Sequence, residues 1–91
     1  MIQISIVVPV FNEEESLPEL TQWIVGVMSE HGFSYEVIFV NDGSTDSSWE
    51  TIRKLSRSNG HIKGIGFTRN YGKSAALDIG FTKAKGTVVI T

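Results

Sequence analysis

Apolar and polar positions alternate in blocks along the chain. Four runs are rich in Val, Ile and Phe, and such continuous runs are typical of parallel strands that are covered on both faces. Three intervening segments repeat apolar residues three or four positions apart, which is the spacing of one helix face. The predicted strands are Ile2–Val10, Val37–Val40, Ile62–Thr68 and Thr87–Thr91. The predicted helices are Ser16–Glu30, Trp49–Ser58 and a third around Ala76–Ala84.

This order of strand and helix, with short polar links, predicts right-handed crossovers. The expected fold class is α/β, a Rossmann-like parallel sheet with helices on both faces. The run Thr87–Thr91 stands at the end of the sequence without a following helix. We therefore expect residues 1–91 to form one incomplete domain, truncated after its fourth strand. The bare edge of that strand would be available for pairing with a second copy, which predicts a homo-oligomer.

Composition narrows the classes of partner. The chain has 91 residues, of which 41% are hydrophobic and 20% charged, a balance typical of a folded domain. Its net charge is -2 and no basic block is present, which argues against a nucleic acid partner. Because cysteine is absent, disulfides and thiolate metal sites are excluded, in keeping with a cytoplasmic location. No apolar stretch approaches the roughly 20 residues of a membrane helix.

A carboxylate follows the second predicted strand. Asp42 stands directly beyond Val37–Val40, at the carboxyl end of the strand, where open α/β sheets bind ligands. The alternative is that Asn41, Asp42 and Gly43 only make the turn. On the same interpretation, Asp46 caps the next helix, because Asp is a favoured N-cap residue. The position of Asp42 favours a ligand contact, and the residue type of Asp46 favours the cap.

Three segments together resemble the family 2 inverting glycosyltransferases. They stand in the same order and spacing as in that family, and the third is most similar to the subgroup that transfers sugars to polyprenyl phosphates, such as dolichyl-phosphate mannose synthase. The segments are Ser5–Glu14, Val40–Asp46 and Arg69–Leu77. The resemblance implies the nucleotide-binding half of a GT-A domain. It also implies transfer of a sugar from a nucleotide-diphosphate sugar to an acceptor such as a polyprenyl phosphate, at the cytoplasmic face of a membrane.

The same resemblance assigns nucleoside contacts. Pro9, Phe11 and Glu13 match the loop that holds the base and ribose in the family. Phe11 would offer an aromatic face to the base, and Glu13 would accept hydrogen bonds from ribose hydroxyls. Asp42 matches the carboxylate that reads an N–H of the base, and Val40 would line the same pocket. Uracil and guanine both present such a donor, so UDP and GDP donors remain open.

The resemblance also concerns phosphate and metal. Arg69 and Lys73 would lie near the donor diphosphate or a lipid phosphate, the alternative being a solvated charged loop. In the family, an Asp-x-Asp element that holds Mg²⁺ or Mn²⁺ follows the fourth strand, and the catalytic base lies further on. Both would lie beyond Thr91. We therefore assign no catalytic residue and no metal ligand to this chain, and expect the parent protein to be a glycosyltransferase while the fragment alone is inactive.

Two other functions compete with this interpretation. The segment Gly66–Ser74 approaches a phosphate-binding P-loop, but five residues separate Gly66 from Gly72 where a P-loop has four. A P-loop NTPase is therefore disfavoured. The second alternative is a non-catalytic nucleotide-binding or structural module that self-associates through Thr87–Thr91.

Overall fold

Four strands and three helices alternate along the chain in the computed structural model, which describes all residues from 1 to 91. Their bounds are β1 Ile4–Val10, α1 Leu17–His31, β2 Tyr35–Asn41, α2 Ser48–Ser58, β3 Ile62–Gly66, α3 Lys73–Lys83 and β4 Val88–Ile90. The strands form one sheet in the order β3-β2-β1-β4, and every neighbouring pair is parallel. The predicted α/β class and the order of elements are confirmed.

The helices cover both faces of the sheet, as predicted. α1 and α2 pack on one face around Phe39 and Ile52, which are completely buried. α3 packs on the other face, where Ala76 meets Val7 and Val40. The order in which strands are added to the sheet reverses at β1. β2 and β3 extend the sheet on one side of β1, and β4 lies on the other side. This reversal is the topological switch point beside which open α/β sheets bind ligands.

The first helix begins without the expected side-chain cap. Ser16 is a sequence candidate for a capping box with Glu19, but its hydroxyl donates instead to a carboxylate oxygen of Glu13 at 2.9 Å. The helix starts at Leu17 with a proline in its first turn, and it ends at Gly32 in the left-handed conformation. The helical spacing of Trp23 among apolar residues predicts a core position, but the residue is 67% exposed.

The third helix lies unusually close to the sheet. A Cβ atom added to Gly80 would lie 2.2 Å from Cγ1 of Val7, so only glycine allows this approach. The small residues of the predicted helical stripe are thus explained by packing distance. On the opposite face, the ring of Trp49 covers Gly64 and Gly66 of β3, which accounts for the two glycines in this strand. The helical spacing of Trp49 among apolar residues predicts such a packing role.

A buried carboxylate joins α3 to the amino-terminal end of the sheet. Glu36 is 1% exposed, and one of its oxygens accepts hydrogen bonds from the Ser5 hydroxyl and the Lys85 N–H, both at 2.6 Å. Its other oxygen accepts from Nζ of Lys63 at 2.6 Å. Burial alone raises the pKa of Glu36, but the three hydrogen bonds outweigh it and hold the pKa below its ordinary value. The group therefore stays ionised in the core.

β4 is one of the two edge strands of the sheet, the other being β3. It pairs only with residues Ile4–Ile6 of β1, and its three side chains are exposed. The observed strand, Val88–Ile90, is shorter than the predicted Thr87–Thr91.

None of the three helices has both the length and the apolar character that crossing a bilayer requires.

Candidate functional site

Three loops meet at the carboxyl edge of the sheet. We call residues 11–16 after β1 the first loop, residues 42–47 after β2 the second loop, and residues 67–72 after β3 the third loop. The strands are parallel, so their carboxyl ends share one edge, and the loops are brought together there. Most of the candidate residues predicted from the sequence lie in these loops.

Hydrogen bonds join the first loop to the second. Asn12 Oδ1 accepts from the Thr45 N–H at 2.8 Å and from the Asp46 N–H at 3.3 Å. The Asn12 N–H donates in return to the Ser44 hydroxyl oxygen at 3.0 Å. One residue further on, the Glu13 N–H donates to the hydroxyl oxygen of the fully buried Ser48 at 2.9 Å. The first loop is thereby fastened to the start of α2.

Asp46 supports this connection from the second loop. Its Oδ1 accepts from the Ser48 N–H at 2.9 Å, at the first residue of α2. Its Oδ2 accepts from the Glu14 N–H at 3.4 Å. The hydrogen bonding from Ser48 is the main cause that lowers the pKa of Asp46 below its ordinary value. The N-cap position predicted for Asp46 is occupied by Ser47, whose side chain makes no capping hydrogen bond, and Asp46 accepts the first N–H of α2 from one residue earlier.

Asp42 joins the second loop to the third. The residue is only 4% exposed, and its Oδ1 accepts from the Tyr71 N–H at 2.8 Å. Its Oδ2 accepts from the Gly72 N–H at 3.1 Å and from Nδ2 of Asn70 at 3.2 Å. The Gly72 N–H also lies 3.3 Å from Oδ1, so the third loop already makes two contacts to each oxygen of a group with about four acceptor positions. A nucleobase that contacts Asp42 would have to share the carboxylate with the third loop.

The second and third loops also touch through their backbones. Gly43 has φ 69°, a conformation that side chains strain. A Cβ atom there would lie 2.2 Å from the carbonyl carbon of Arg69. Glycine at this position therefore allows both the turn after β2 and the close approach of the third loop.

The predicted nucleoside contacts lie at the edge but differ in exposure. Phe11 is 46% exposed and Glu13 is exposed, while Pro9 is half-buried near the end of β1. Val40 is completely buried under α3, so its side chain presents no surface to an open pocket. Its part in the site is to fix the end of the strand that carries Asp42.

The predicted phosphate contacts lie around the start of α3. The Arg69 guanidinium carbon sits 4.9 Å from the centre of the Tyr71 ring, a cation–π contact. The Tyr71 ring in turn meets Phe67 edge to face at 5.4 Å. Lys73 is the first residue of α3, and this helix, unlike α1 and α2, has no acidic residue in its first turn. Both cations are exposed.

Two clefts open at this edge. One, of about 310 Å³, is lined by the polar residues Asn12, Glu13, Glu14, Glu15, Ser16 and Asp46. The other, of about 370 Å³, is lined by Asn41, Ser44, Asp46, Trp49, Glu50, Gly66, Phe67 and Thr68. Of the residues predicted to hold the nucleoside, Glu13 lines the first cleft and none lines the second. The sequence does not predict the second cleft, because its walls combine residues of β2, α2, β3 and two loops, which come from two separate segments of the chain.

The residues of this chain do not fit a metal site. No three of its His, Asp and Glu side chains converge closely enough to hold a metal ion. Two of the carboxylates at the edge are engaged elsewhere: Asp42 accepts from the third loop, and Asp46 accepts from α2 and the first loop. The edge therefore offers hydrogen-bonding groups to a polar ligand, without a set of side chains that suits a divalent cation.

The chain is similar in sequence to known proteins. The sequence profile of glycosyl transferase family 2 matches residues 5–91. The undecaprenyl-phosphate 4-deoxy-4-formamido-L-arabinose transferase of Salmonella paratyphi A is 41% identical over 90 residues, which are 98% of this chain. The chain spans only 28% of the length of that relative.

Solved structures share the fold. The mannosyltransferase PcManGT from Pyrobaculum calidifontis, in complex with GDP-Man and Mn²⁺, aligns over 96% of this chain and 26% of its own with TM-score 0.74 and 23% identity. The S. aureus TarS 1-349 structure aligns over 99% of this chain and 27% of its own with TM-score 0.79 and 24% identity. At such identities the alignments show a common fold.

Proposed function

We propose that this chain, which belongs to glycosyl transferase family 2, supplies the nucleoside-binding part of an enzyme that transfers a sugar from a nucleotide-diphosphate sugar to a polyprenyl phosphate. The 41% identity to an undecaprenyl-phosphate sugar transferase carries the proposal, because it extends over 98% of the chain and so spans all three loops. The loops also meet beside the topological switch point, where this class of sheet binds ligands.

In this proposal the nucleoside lies across the first and second loops. Phe11 stacks on the base through its exposed ring, and Glu13 accepts hydrogen bonds from the ribose hydroxyls. Asp42 accepts from an N–H of uracil or guanine by sharing an oxygen that now accepts from the third loop. Pro9 and Val40 hold the ends of β1 and β2, from which these loops depart.

The anionic groups lie toward α3. Arg69 and Lys73 are exposed cations, and the first turn of any helix carries N–H groups without intrahelical partners. The absence of acidic residues from this turn of α3 leaves its positive end uncompensated by side chains. Donor diphosphate and acceptor lipid phosphate would both be attracted to this region.

In this proposal, the metal site and the reaction at a membrane are assigned to the longer parent protein. A structural neighbour was solved with Mn²⁺ and GDP-Man, and the present residues form no metal site. We place the ligands for Mg²⁺ or Mn²⁺, together with the catalytic base, outside residues 1–91. Because a polyprenyl phosphate is a membrane lipid, the parent would act at the cytoplasmic face of a membrane.

Calorimetric titration with UDP and with GDP, each with and without Mn²⁺, tests this proposal. We expect binding that prefers one base and does not depend on the metal. Asp42→Ala should abolish binding, whereas Glu15→Ala should leave it nearly unchanged, because Glu15 is exposed and its side chain holds no loop. Thermal melts of both variants show whether the loss reflects unfolding. Absence of binding to either nucleotide, or equal losses in the two variants, would contradict the proposal.

Self-association is a second candidate property. It is favoured by the edge position of β4, whose Val88, Val89 and Ile90 are all exposed. An unpaired parallel edge can add a strand from a second copy. Sedimentation at high concentration should then show a dimer or larger species, and a clean monomer would eliminate this candidate.

A further inference from the structure

We infer that Asn12 is a positioning residue of the nucleoside site, which holds Phe11 and Glu13 in place without contacting the nucleotide itself. The inference rests on the proposed function. It concerns the first loop, whose two candidate contacts flank Asn12 in sequence. Two independent features of Asn12 support it, one in its backbone and one in its side chain.

The backbone of Asn12 is left-handed. Its φ of 54° makes it the one residue other than glycine with a positive φ in this chain. Asparagine tolerates this conformation better than most residues, since its short side chain can hydrogen-bond locally. The chain turns sharply at this point, between the end of β1 and Glu13. The directions of Phe11 and Glu13 therefore depend on the conformation of Asn12.

The side chain of Asn12 fixes where this turn lies. Its Oδ1 accepts from the N–H of Thr45, from the hydroxyl of Thr45 at 3.3 Å, and from the N–H of Asp46. All three donors belong to the second loop, more than thirty residues further along the chain. This amide oxygen is the side-chain acceptor on the first loop for three donors of the loop that carries Asp42, and it acts beside the backbone N–H groups of residues 12–14, which donate to Ser44, Ser48 and Asp46.

The second loop, to which Asn12 binds, is held in turn by α2 and the core. Asp46 accepts the first N–H of α2, and α2 packs through the fully buried Ile52 into the core. α2 therefore positions the first loop in two ways: through the contacts of Asn12 with Thr45 and Asp46, and through the Glu13 N–H that donates to Ser48. A loop that is ordered before binding costs less free energy on binding than one that must be ordered by the ligand.

Three substitutions separate the backbone role from the side-chain role. Asn12→Gly keeps the left-handed turn and removes Oδ1, so we expect UDP or GDP to bind roughly tenfold more weakly, because the loop must be ordered on binding. Asn12→Ala removes both features and should weaken binding further. Asn12→Asp keeps an acceptor oxygen and the turn, and should restore the dissociation constant to within about threefold of the unsubstituted chain.

Ile62→Val serves as the matched control. Ile62 is buried at the amino-terminal end of β3, remote from the three loops, and its loss of one methyl group lowers stability modestly. It should leave the dissociation constant unchanged. Binding by Asn12→Gly that equals the unsubstituted chain overturns the inference alone, as does failure of Asn12→Asp to recover any affinity. No nucleotide binding by the unsubstituted chain overturns the proposed function and this inference with it.

Discussion

Replacing Glu36 by Gln tests how far a buried carboxylate stabilises this sheet. The substitution keeps the shape of the side chain but removes its charge and one acceptor oxygen. One oxygen of Glu36 now accepts from the Ser5 hydroxyl and the Lys85 N–H, and the other from Lys63. The NH₂ group of glutamine would face a donor on whichever side it lay. If the NH₂ turned toward the exposed Lys63, the Ser5 hydroxyl and the Lys85 N–H would keep an acceptor, but it would be a neutral amide oxygen; if it turned the other way, both donors would lose their acceptor.

The expected loss follows from the exposure of each partner. Lys63 is 44% exposed, so water screens its attraction to Glu36 and can solvate it once the charge is gone. The hydrogen bond from the Ser5 hydroxyl is buried and that from the Lys85 N–H is partly buried, so water replaces them poorly. Hydrogen bonds to charged groups are worth about 1.5 to 3 kcal/mol. We therefore expect Glu36→Gln to lower the free energy of unfolding by about 2 to 3 kcal/mol, within a total of roughly 5 to 14 kcal/mol for a chain of this size.

Urea denaturation followed by circular dichroism measures this loss. A drop of that size lowers the midpoint by roughly 1 to 2 M at an m-value of about 1.5 kcal/mol/M. Glu30→Gln is the matched control, because Glu30 is exposed and its side chain makes no hydrogen bond, so its effect should stay within about 0.5 kcal/mol. Equal midpoints for Glu36→Gln and the unsubstituted chain would refute the reasoning.

The difference in stability between the unsubstituted chain and Glu36→Gln should depend on pH. The pKa of Glu36 is lowered in the folded state, so the unfolded chain binds its proton more readily than the folded chain. The stabilisation is therefore complete above the ordinary value of 4.5 and is lost as pH falls through the lower folded pKa. The gap in stability between the unsubstituted chain and Glu36→Gln should narrow as pH falls below 4.5. A gap that widened there would contradict the assigned direction.

Three glycines provide further tests of the packing. Gly80→Ala should destabilise the chain by about 1 to 3 kcal/mol, because its Cβ would overlap Val7, whereas Gly26→Ala, with open space in the middle of α1, should stabilise it by about 0.5 to 1 kcal/mol. Thermal melts of this pair of helical substitutions should shift in opposite directions, and shifts of the same sign would contradict the close approach of α3. Gly43→Ala combines a strained φ with overlap on Arg69, so urea midpoints should show a loss above about 2 kcal/mol, and nucleotide titration should show weaker binding.

The fold was predictable because its signals are local. Three of the four strands are short apolar runs such as Val37–Val40, and each helix repeats apolar residues three or four positions apart. The strict alternation of these elements then leaves the parallel sheet as the natural arrangement. Errors are confined to ends, as where β3 stops at Gly66 instead of Thr68. Element ends depend on hydrogen bonds to distant segments, which the local pattern does not contain.

The site was predictable only in outline. The sequence placed Asp42 at a ligand-binding edge, but it did not reveal that the third loop already occupies most of its acceptor positions. Nor did it single out Asn12, whose partners lie 33 and 34 residues away. The exposure of Trp23 was missed for a related reason: helical spacing identifies a stripe, but not how wide a strip of that helix the sheet can cover.

Glu36 and Asp42 together explain how α3 is held. Glu36 lies in β2 and Asp42 directly follows the strand, so six positions of extended chain, or about 20 Å, separate them, while α3 is about 16 Å long. Asp42 accepts the N–H groups of Tyr71 and Gly72, just before the helix, and Glu36 accepts that of Lys85, just after it.

One strand therefore fixes both ends of a helix whose apolar face is small, with Ala76 and Gly80 as its buried residues. The two ends should nevertheless differ in function. Asp42→Asn should loosen the third loop and weaken nucleotide binding, whereas Glu36→Gln should lower stability and leave the dissociation constant unchanged, since the start of α3 keeps its own anchor. Equal weakening of nucleotide binding by both substitutions would show that the helix responds as one rigid unit and that the two anchors are not separable.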